Sequence, residues 1–217
     1  MIRNIIFDIG NVLAAWQWRE FYENFHYSPE VTERLAKATV LSPLWEEFDR
    51  GEMDEEVLLG KFIENDPELE REIRGVRQNI HDMLGRYDYA IPWIQALKGK
   101  GYRVYYLSNF SRQAHRECSH VLDFLPLMDG GILSYQEKLI KPDPAIYQLL
   151  LARYGLKADE CVFLDDTERN VEAAIRQGMA GILFRSREQA EEELKKLGVD
   201  AQEREDNYRG NTIFQKR

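Results

Sequence analysis

The spacing of apolar and polar positions changes twice along this chain. Residues 2–7 form a short apolar run, IRNIIF, which predicts a buried strand ending just before Asp8. From Trp16 to about Gly85 the apolar residues instead recur at helical spacing, and proline-containing turns separate the helices. The helices predicted in this stretch are Gln17–Tyr27, Pro29–Ala38, Asp54–Ile63 and Glu68–Met83.

Beyond Gly85, short apolar runs alternate with helices. The predicted strands are Tyr102–Leu107, Gly131–Leu133, Cys161–Leu164 and Gly181–Phe184. The predicted helices are Ile91–Lys100, Ser111–Leu122, Asp143–Tyr154, Glu168–Gln177 and Arg187–Leu197. Strands that alternate with helices of this length imply right-handed crossovers and a parallel sheet covered by helices on both faces.

This order of elements predicts an α/β fold with a Rossmann-like parallel-sheet core and a small helical cap inserted after the first strand. The core is expected to comprise residues 1–15 and 86–217, and the cap residues 16–85. Because the insertion leaves the chain just after the first strand ends, the cap should lie over the carboxyl edge of the sheet. Open α/β sheets bind ligands at that edge. No role is assigned to the polar tail at 198–217.

Composition and charge exclude several classes of function. Hydrophobic residues are 44% of the 217, enough for a folded core, and Cys118 and Cys161 lie far apart without metal-ligand spacing. No apolar run approaches the roughly 18 residues that span a membrane, and no signal pattern is recognised. A net charge of −9 without a Lys- or Arg-rich block argues against nucleic acid. We therefore expect a cytoplasmic protein, a monomer or weak homodimer, that binds neither membranes nor nucleic acid.

Four polar clusters follow predicted strands or begin the next helix. They are Asp8-Ile9-Gly10-Asn11-Val12, Ser108-Asn109, Lys141-Pro142 and Asp165-Asp166. Each cluster alone is an ordinary turn or helix cap. Because the carboxyl ends of parallel strands meet at one edge, the fold predicts that all four share one crevice.

Together, these clusters have the composition of a phosphoryl-transfer site. Three carboxylates in one crevice raise one another's pKa unless a cation lies among them. Few protein ligands, all of them oxygens, suit Mg²⁺, whose shell is usually completed by water and a substrate phosphate. Lys141 and the Ser108 hydroxyl would bind phosphate oxygens, and one carboxylate could attack the phosphorus. The expected partner is a small phosphorylated metabolite.

The same segments resemble the four motifs of the haloacid dehalogenase-like hydrolases, in the family's order and over nearly the whole chain. The matching segments are Phe7-Asp8-Ile9-Gly10-Asn11-Val12-Leu13, Leu107-Ser108-Asn109, Lys141-Pro142-Asp143 and Phe163-Leu164-Asp165-Asp166. The predicted insertion is similar to the family's small helical cap. More narrowly, the FDIGNVL start and the RGEMDEEVL stretch at 50–58 resemble the bacterial glucose-1-phosphate phosphatase branch.

The resemblance implies a role for each matching residue. Asp8 would be the nucleophile that forms an aspartyl-phosphate, and it would also bind Mg²⁺. The backbone carbonyl of Gly10 and the carboxylates of Asp165 and Asp166 would complete the metal site, directly or through water. Ser108 and the backbone near Asn109 would hold the transferring phosphoryl group. Lys141 would neutralise charge between the nucleophile and the phosphate.

One position departs from the common family pattern. Most phosphatases of this family carry a second Asp two residues after the nucleophile, where it acts as general acid and base. Gly10 stands at that position and transfers no proton. A sugar 1-phosphate, whose anomeric oxygen leaves more readily than an ordinary alkoxide, would suit such a site. His26 and His81 are alternative proton carriers but are expected on the surface, whereas Trp16 is expected to face the crevice and stack on a sugar ring.

Three hypotheses remain open from the sequence. The first is a Mg²⁺-dependent phosphatase acting on a small phosphate monoester. The second is a 2-haloacid dehalogenase, which also uses an Asp nucleophile but needs no metal; Gly10 and the Asp165-Asp166 pair argue against it. The third is a non-catalytic phosphometabolite-binding protein, supported by Gly10 alone.

Overall fold

Strands and helices alternate through most of the computed structural model, which describes residues 1–200. The strands are β1 Asn4–Phe7, β2 Ala14–Trp16, β3 Leu84–Arg86, β4 Arg103–Ser108, β5 Gly130–Leu133, β6 Cys161–Asp165 and β7 Ala180–Leu183. The helices are α1 Trp18–Glu23, α2 Pro29–Ala38, α3 Leu44–Arg50, α4 Glu55–Asn65, α5 Glu70–Gln78, α6 Ala90–Gly99, α7 Arg112–Glu117, α8 Ser134–Glu137, α9 Pro144–Tyr154, α10 Glu168–Arg176 and α11 Arg187–Lys196. Single 3₁₀ turns lie at Pro67–Leu69, Ile80–Met83, Ser119–Val121, Leu125–Leu127 and Ala158–Glu160.

Five of the strands form one parallel sheet in the order β5-β4-β1-β6-β7. Every residue of β1 and β6 is buried, as continuous apolar runs such as NIIF require when helices cover both faces of a sheet. Ile5 pairs in register with Val104 on one side and with Val162 on the other. The predicted α/β parallel-sheet fold is confirmed. Because β1 lies between β4 and β6, the chain segments that leave these three strands emerge side by side.

A short antiparallel ribbon, in which Trp16 of β2 pairs with Leu84 of β3, joins the two ends of the predicted insertion. The prediction of helix from Trp16 to Gly85 is therefore wrong at both ends. Each ribbon strand is three residues long, and the partners lie far apart in the chain, so no local periodicity reveals them. The ribbon crosses both predicted domain limits, and helices α1–α5 lie between its strands. The division into core and cap stays a prediction.

Several helices are shorter than predicted. α1 ends at Glu23 rather than at Tyr27, and the chain then turns through His26 at φ +55°. The single helix predicted over 68–83 is instead α5 flanked by two 3₁₀ turns, and Ser111–Leu122 is α7 followed by another 3₁₀ turn. Polar residues at these ends offer the backbone other hydrogen-bond partners; Asn79, for example, donates to the carbonyl of Gly75.

Over residues 1–200, no helix has both the length and the apolar character that crossing a membrane requires. Most of the 198–217 tail lies outside the described residues.

Candidate active site

Asp8 lies immediately beyond the end of β1, at the carboxyl edge of the sheet. Its backbone N–H donates to the carbonyl of Leu164 at 2.8 Å, which extends the pairing of β1 with β6 by one residue. The residue is 8% exposed, and it lines a cavity of about 610 Å³ that opens above the edge. The sheet thus holds one carboxylate at the base of a ligand-sized space.

Lys141 is a buried cation held between two carboxylates. Its Nζ lies 2.8 Å from Oδ1 of Asp8 and 2.6 Å from Oδ2 of Asp165. The side chain of Asn109 fixes the lysine backbone, because its Oδ1 accepts from the Lys141 N–H at 2.7 Å and its Nδ2 donates to the Lys141 carbonyl at 3.0 Å. The Asn109 side chain therefore connects the end of β4 to the loop before α9, and the two carboxylates hold the ammonium.

Burial and charge act in opposite directions on this group of residues. Burial raises the pKa of Asp8 above its usual range, although the neighbouring Lys141 lowers it. Burial lowers the pKa of Lys141, but Asp165 and Asp8 more than offset that effect, so its pKa lies above the ordinary value. Lys141 is thus cationic at neutral pH, and its charge favours the ionised form of Asp8.

Three carboxylates converge at this edge. Asp8, Asp165 and Asp166 each have an oxygen within 4.8 Å of the others, an arrangement that could hold a metal ion. Asp165 is fully buried, and its oxygens also accept from the Thr167 N–H at 2.8 Å and from Asn170 Nδ2 at 3.1 Å. Its carboxylate is thereby fixed in orientation.

Asn11 holds the third carboxylate in place, a contact that sequence reasoning missed. Its Nδ2 donates to Oδ2 of Asp166 at 2.9 Å, and its Oδ1 accepts from the backbone N–H of Trp16 at 3.0 Å. The residue has φ +55°, a left-handed conformation that Asn tolerates better than most residues. Asn11 thus connects Asp166 to Trp16, the last residue of β2.

The remaining predicted site residues also line the cavity. Ser108 is 2% exposed at the end of β4, and its hydroxyl lies close enough to Asp8 to lower the pKa of that carboxyl by hydrogen bonding. Gly10 lines the same space, and a Cβ added there would meet no atom within 4 Å. Trp16 forms part of the wall and packs edge-on against Trp45, with ring centroids 5.6 Å apart. Every sequence-predicted site residue except Asp165 lines the cavity, and Asp165 lies beneath it, bound to Lys141.

The insertion supplies further cavity residues, and sequence reasoning missed Trp45 and Asp49 among them. Trp45, Glu46 and Asp49 come from α3, and the residues just before that helix complete this side of the wall. Glu46 pairs with Arg169 of α10 at 2.9 Å, so α3 contacts the core beside Asp166. The sequence predicts no separate helix at 44–50; the acidic pattern WEEFD, with apolar residues on one face, is the available signal. None of the four histidines lines the cavity.

A parallel sheet with carboxylates and a lysine around a cavity at its carboxyl edge is the architecture of an α/β enzyme that binds its ligand at the strand ends. The family model of the haloacid dehalogenase-like hydrolases matches residues 2–178. The chain belongs to that family of hydrolases.

Three similar proteins illustrate the range of the family. A sesquiterpene phosphatase of Aspergillus oryzae is 27% identical over 82% of this chain and 87% of its own length. Flavin mononucleotide hydrolase 1 of Arabidopsis thaliana is 24% identical over 72% of this chain, which spans 63% of that relative. A family enzyme from Bacteroides thetaiotaomicron, solved with magnesium and inorganic phosphate, is 19% identical with a TM-score of 0.65, covering 86% of this chain and 96% of its own. The structural likeness is one of fold.

Proposed function

We propose that this protein is a Mg²⁺-dependent phosphatase that hydrolyses a small phosphate monoester through an aspartyl-phosphate on Asp8. One observation carries the proposal: a buried carboxylate at the base of an open cavity lies 2.8 Å from the Lys141 ammonium, beside two further carboxylates. Family membership supports hydrolysis, and a flavin mononucleotide hydrolase and a sesquiterpene phosphatase among the relatives support a phosphate ester as substrate.

The donor set fits Mg²⁺. Three carboxylates supply oxygens within 4.8 Å of one another, and the single Lys141 charge does not balance them. Mg²⁺ prefers oxygen ligands and is bound through few carboxylates plus substrate phosphate. We assign Asp8, Asp166 and the Gly10 carbonyl to the ion; Asp165 contributes less directly, because its oxygens already accept hydrogen bonds. When bound, the ion neutralises charge that develops on the phosphoryl oxygens.

The protein groups then have defined tasks. A carboxylate oxygen of Asp8 attacks phosphorus, and the bond from phosphorus to the ester oxygen breaks. The Ser108 hydroxyl and the backbone N–H of Asn109 donate to the phosphoryl oxygens, because the Asn109 side chain is fully used on the Lys141 backbone. The Lys141 ammonium neutralises charge between nucleophile and phosphate. Water then attacks the aspartyl-phosphate and frees Asp8.

We infer that the substrate is a sugar 1-phosphate. The FDIGNVL and RGEMDEEVL segments carry the resemblance to the glucose-1-phosphate phosphatase branch. A cavity of about 610 Å³ is of ligand size, and the Trp16 and Trp45 rings in its wall offer apolar faces to a sugar ring. An anomeric oxygen is also a better leaving group than a primary alkoxide.

The two alternatives explain less of the site. In the dehalogenase branch of the family, Tyr is typical two residues after the nucleophile and the metal-binding pair is altered, whereas this chain has Gly10 and keeps Asp165-Asp166. A binding protein without catalysis would not need Lys141 buried against the nucleophile. Metal-independent chloride release from a 2-haloacid would favour the first alternative, and ligand binding without turnover would favour the second.

The test is phosphate release from p-nitrophenyl phosphate, glucose 1-phosphate and glucose 6-phosphate, with Mg²⁺ and with chelator. We expect the wild type to release phosphate only with Mg²⁺ and fastest from glucose 1-phosphate, and Asp8→Asn to be inactive. Asp159→Asn is the matched control, because Asp159 precedes β6 at the opposite edge of the sheet. Activity that persists in Asp8→Asn or in chelator would overturn the mechanism; a preference for glucose 6-phosphate would overturn only the substrate class.

A further inference from the structure

Hydrolysis of a phosphate ester needs a proton twice, and this inference rests on the proposed function. The departing ester oxygen gains a proton when its bond to phosphorus breaks, and the attacking water later loses one. Gly10 carries no side chain, and open space lies where its Cβ would be. A side chain that carries this proton therefore has to come from another part of the cavity wall.

Asp49 is the carboxyl group best placed for this task. It lies in the last turn of α3, half-buried, and lines the same cavity as Asp8, Gly10 and Lys141. Its side chain accepts no hydrogen bond from, and forms no ion pair with, any residue in the described part of the chain. A carboxyl group that faces a reactive cavity without a protein partner is free to exchange a proton with a ligand.

Hydrogen bonds hold the end of α3 in place, so the backbone of Asp49 has a fixed position in the wall of the cavity that Asp8 also lines. The backbone carbonyl of Asp49 accepts from Oγ of Ser134 at 2.6 Å, and Ser134 is fully buried at the end of β5. The Lys138 ammonium donates to the carbonyl of Gly51, two residues further along. Gly51 packs against Tyr135 so closely that an added Cβ would come 2.8 Å from the Tyr135 Cβ.

Burial, together with the neighbouring carboxylate of Asp8, favours the protonated form of Asp49. Burial and the negative charge of Asp8 raise the pKa of Asp49 to about 8, while Lys141 acts in the opposite direction and Glu46 raises it slightly. The other charged groups lining the cavity are Asp166 and Arg169. Near neutral pH the residue is thus present in both protonation states, as an acid–base group requires.

Other candidates in the cavity are less suitable. Glu46 is already paired with Arg169 at 2.9 Å and is about half exposed to solvent. Asp166 is held by Asn11 and assigned to the metal ion. His26 and His81, the alternative carriers that the sequence offers, lie outside the cavity.

We propose that Asp49 is the general acid and base of this hydrolase, supplied by α3 of the insertion instead of by the residue at position 10. The Asp49 carboxyl gives its proton to the ester oxygen as the bond from that oxygen to phosphorus breaks and Asp8 becomes phosphorylated. The resulting Asp49 carboxylate then takes a proton from water as the water oxygen attacks phosphorus and the bond to Asp8 breaks. The products are an alcohol and inorganic phosphate, and both aspartates return to their starting states.

The experiment compares Asp49→Asn with wild type on two kinds of substrate. p-Nitrophenolate leaves without a proton, whereas the alkoxide of glucose 6-phosphate requires one. We expect kcat/KM of Asp49→Asn to fall about 10²-fold or more for glucose 6-phosphate. For p-nitrophenyl phosphate the first step should survive and the second should slow, so the variant should show a burst of p-nitrophenolate while phosphorylated Asp8 accumulates. Asp54→Asn is the matched control: it lies five residues away at the exposed N-cap of α4, where Asn caps as well as Asp.

An equal loss on both substrates without a burst, or no loss on either, would overturn the assignment of Asp49 while leaving the phosphatase function intact. A wild-type protein that releases no phosphate from any substrate would instead refute the function on which the assignment rests. A second variant keeps the test decisive if the Asp49→Asn protein folds poorly. Because residue 10 has open space, Gly10→Asp combined with Asp49→Asn should regain at least about 10-fold of the lost glucose 6-phosphate activity.

Discussion

At the scale of the residue, the Lys141 ammonium is the positive charge that partly balances the buried carboxylates of Asp8 and Asp165. It lies within 2.8 Å of both carboxylates, and it lowers the pKa of Asp8, which burial raises. Removing one partner of a buried ion pair leaves an uncompensated charge. The resulting loss of folding free energy is larger than the net stabilisation that the intact pair provides. The position therefore affects stability and chemistry together.

We predict that Lys141→Met lowers the free energy of unfolding by about 3–5 kcal/mol at pH 8 in chelator. Without the lysine the folded-state pKa of Asp8 rises further above its unfolded value. A group with a raised folded pKa binds more protons when folded, so stability falls as pH rises from about 4 to that folded pKa. Urea denaturation should consequently show a smaller deficit at pH 5 than at pH 8.

The control for this prediction is Lys157→Met, which removes an exposed lysine beside the 3₁₀ turn at Ala158–Glu160 and should change stability by less than about 0.5 kcal/mol. A loss in Lys141→Met that is the same at both pH values would show that the charge balance is not its cause.

Single residues also show how far the sequence predicts the site. Asp8, Ser108 and Asp165-Asp166 follow short apolar runs that predict parallel strands, so their shared edge could be deduced from the rule for parallel sheets. Asp49 could not be deduced, because WEEFD contains three acids and only the docking of α3 on Ser134 distinguishes one of them. The contact of Asn11 with Asp166 joins residues 155 positions apart and has no local signal either.

At the scale of the element, α3 and the β2–β3 ribbon connect the insertion to the sheet. The sequence predicts the strands of the sheet because short apolar runs alternate there with helical segments, and this alternation identifies each run as a strand. It predicts neither the ribbon, whose strands have three residues each, nor the place where α3 meets α8. These are contacts between elements, and periodicity describes only the elements themselves.

We predict that Gly51→Ala is more harmful than the same substitution at Gly155. Both glycines end a helix with positive φ, +66° after α3 and +61° after α9, which costs a non-glycine residue about 1–2 kcal/mol. Only Gly51 has a neighbour in the way, since an added Cβ would lie 2.8 Å from Cβ and 3.2 Å from Cα of Tyr135. The extra cost should be about 1–3 kcal/mol, measured by urea denaturation.

The two glycine variants should also differ in their relative activities on the two substrates. Gly51→Ala should displace the end of α3 and reduce kcat for glucose 6-phosphate more than for p-nitrophenyl phosphate, because Asp49 moves with it. Gly155→Ala, whose added Cβ meets no atom within 4 Å, should keep the wild-type ratio of the two activities. An unchanged ratio in Gly51→Ala would show that the placement of Asp49 does not depend on this contact.

At the scale of the whole molecule, the sheet order β5-β4-β1-β6-β7 brings the site residues together at one edge of the sheet. Neighbouring strands β4, β1 and β6 deliver Ser108, Asp8 and Asp165, and the loop before α9 adds Lys141. Trp45 and Asp49 of α3 line the same cavity, so its wall is built from two separate parts of the chain. Changes in α3 should therefore affect both substrate preference and proton transfer, whereas changes at Asp8, Lys141 or Asp166 should affect nucleophilic attack and metal binding.

A cation among the three carboxylates should stabilise the entire fold, because it binds the native arrangement and not the unfolded chain. At a Mg²⁺ concentration about 100 times the dissociation constant, the gain is about 2.7 kcal/mol. For a chain of this size we expect Tm to rise by about 5–10 °C. Asp166→Asn should lose most of this shift, since it removes one of the convergent oxygens, whereas Asp159→Asn at the opposite edge should keep it. Thermal unfolding followed by circular dichroism, with chelator as the reference, measures the difference, and an equal shift in Asp166→Asn and wild type would place the stabilising ion at another site.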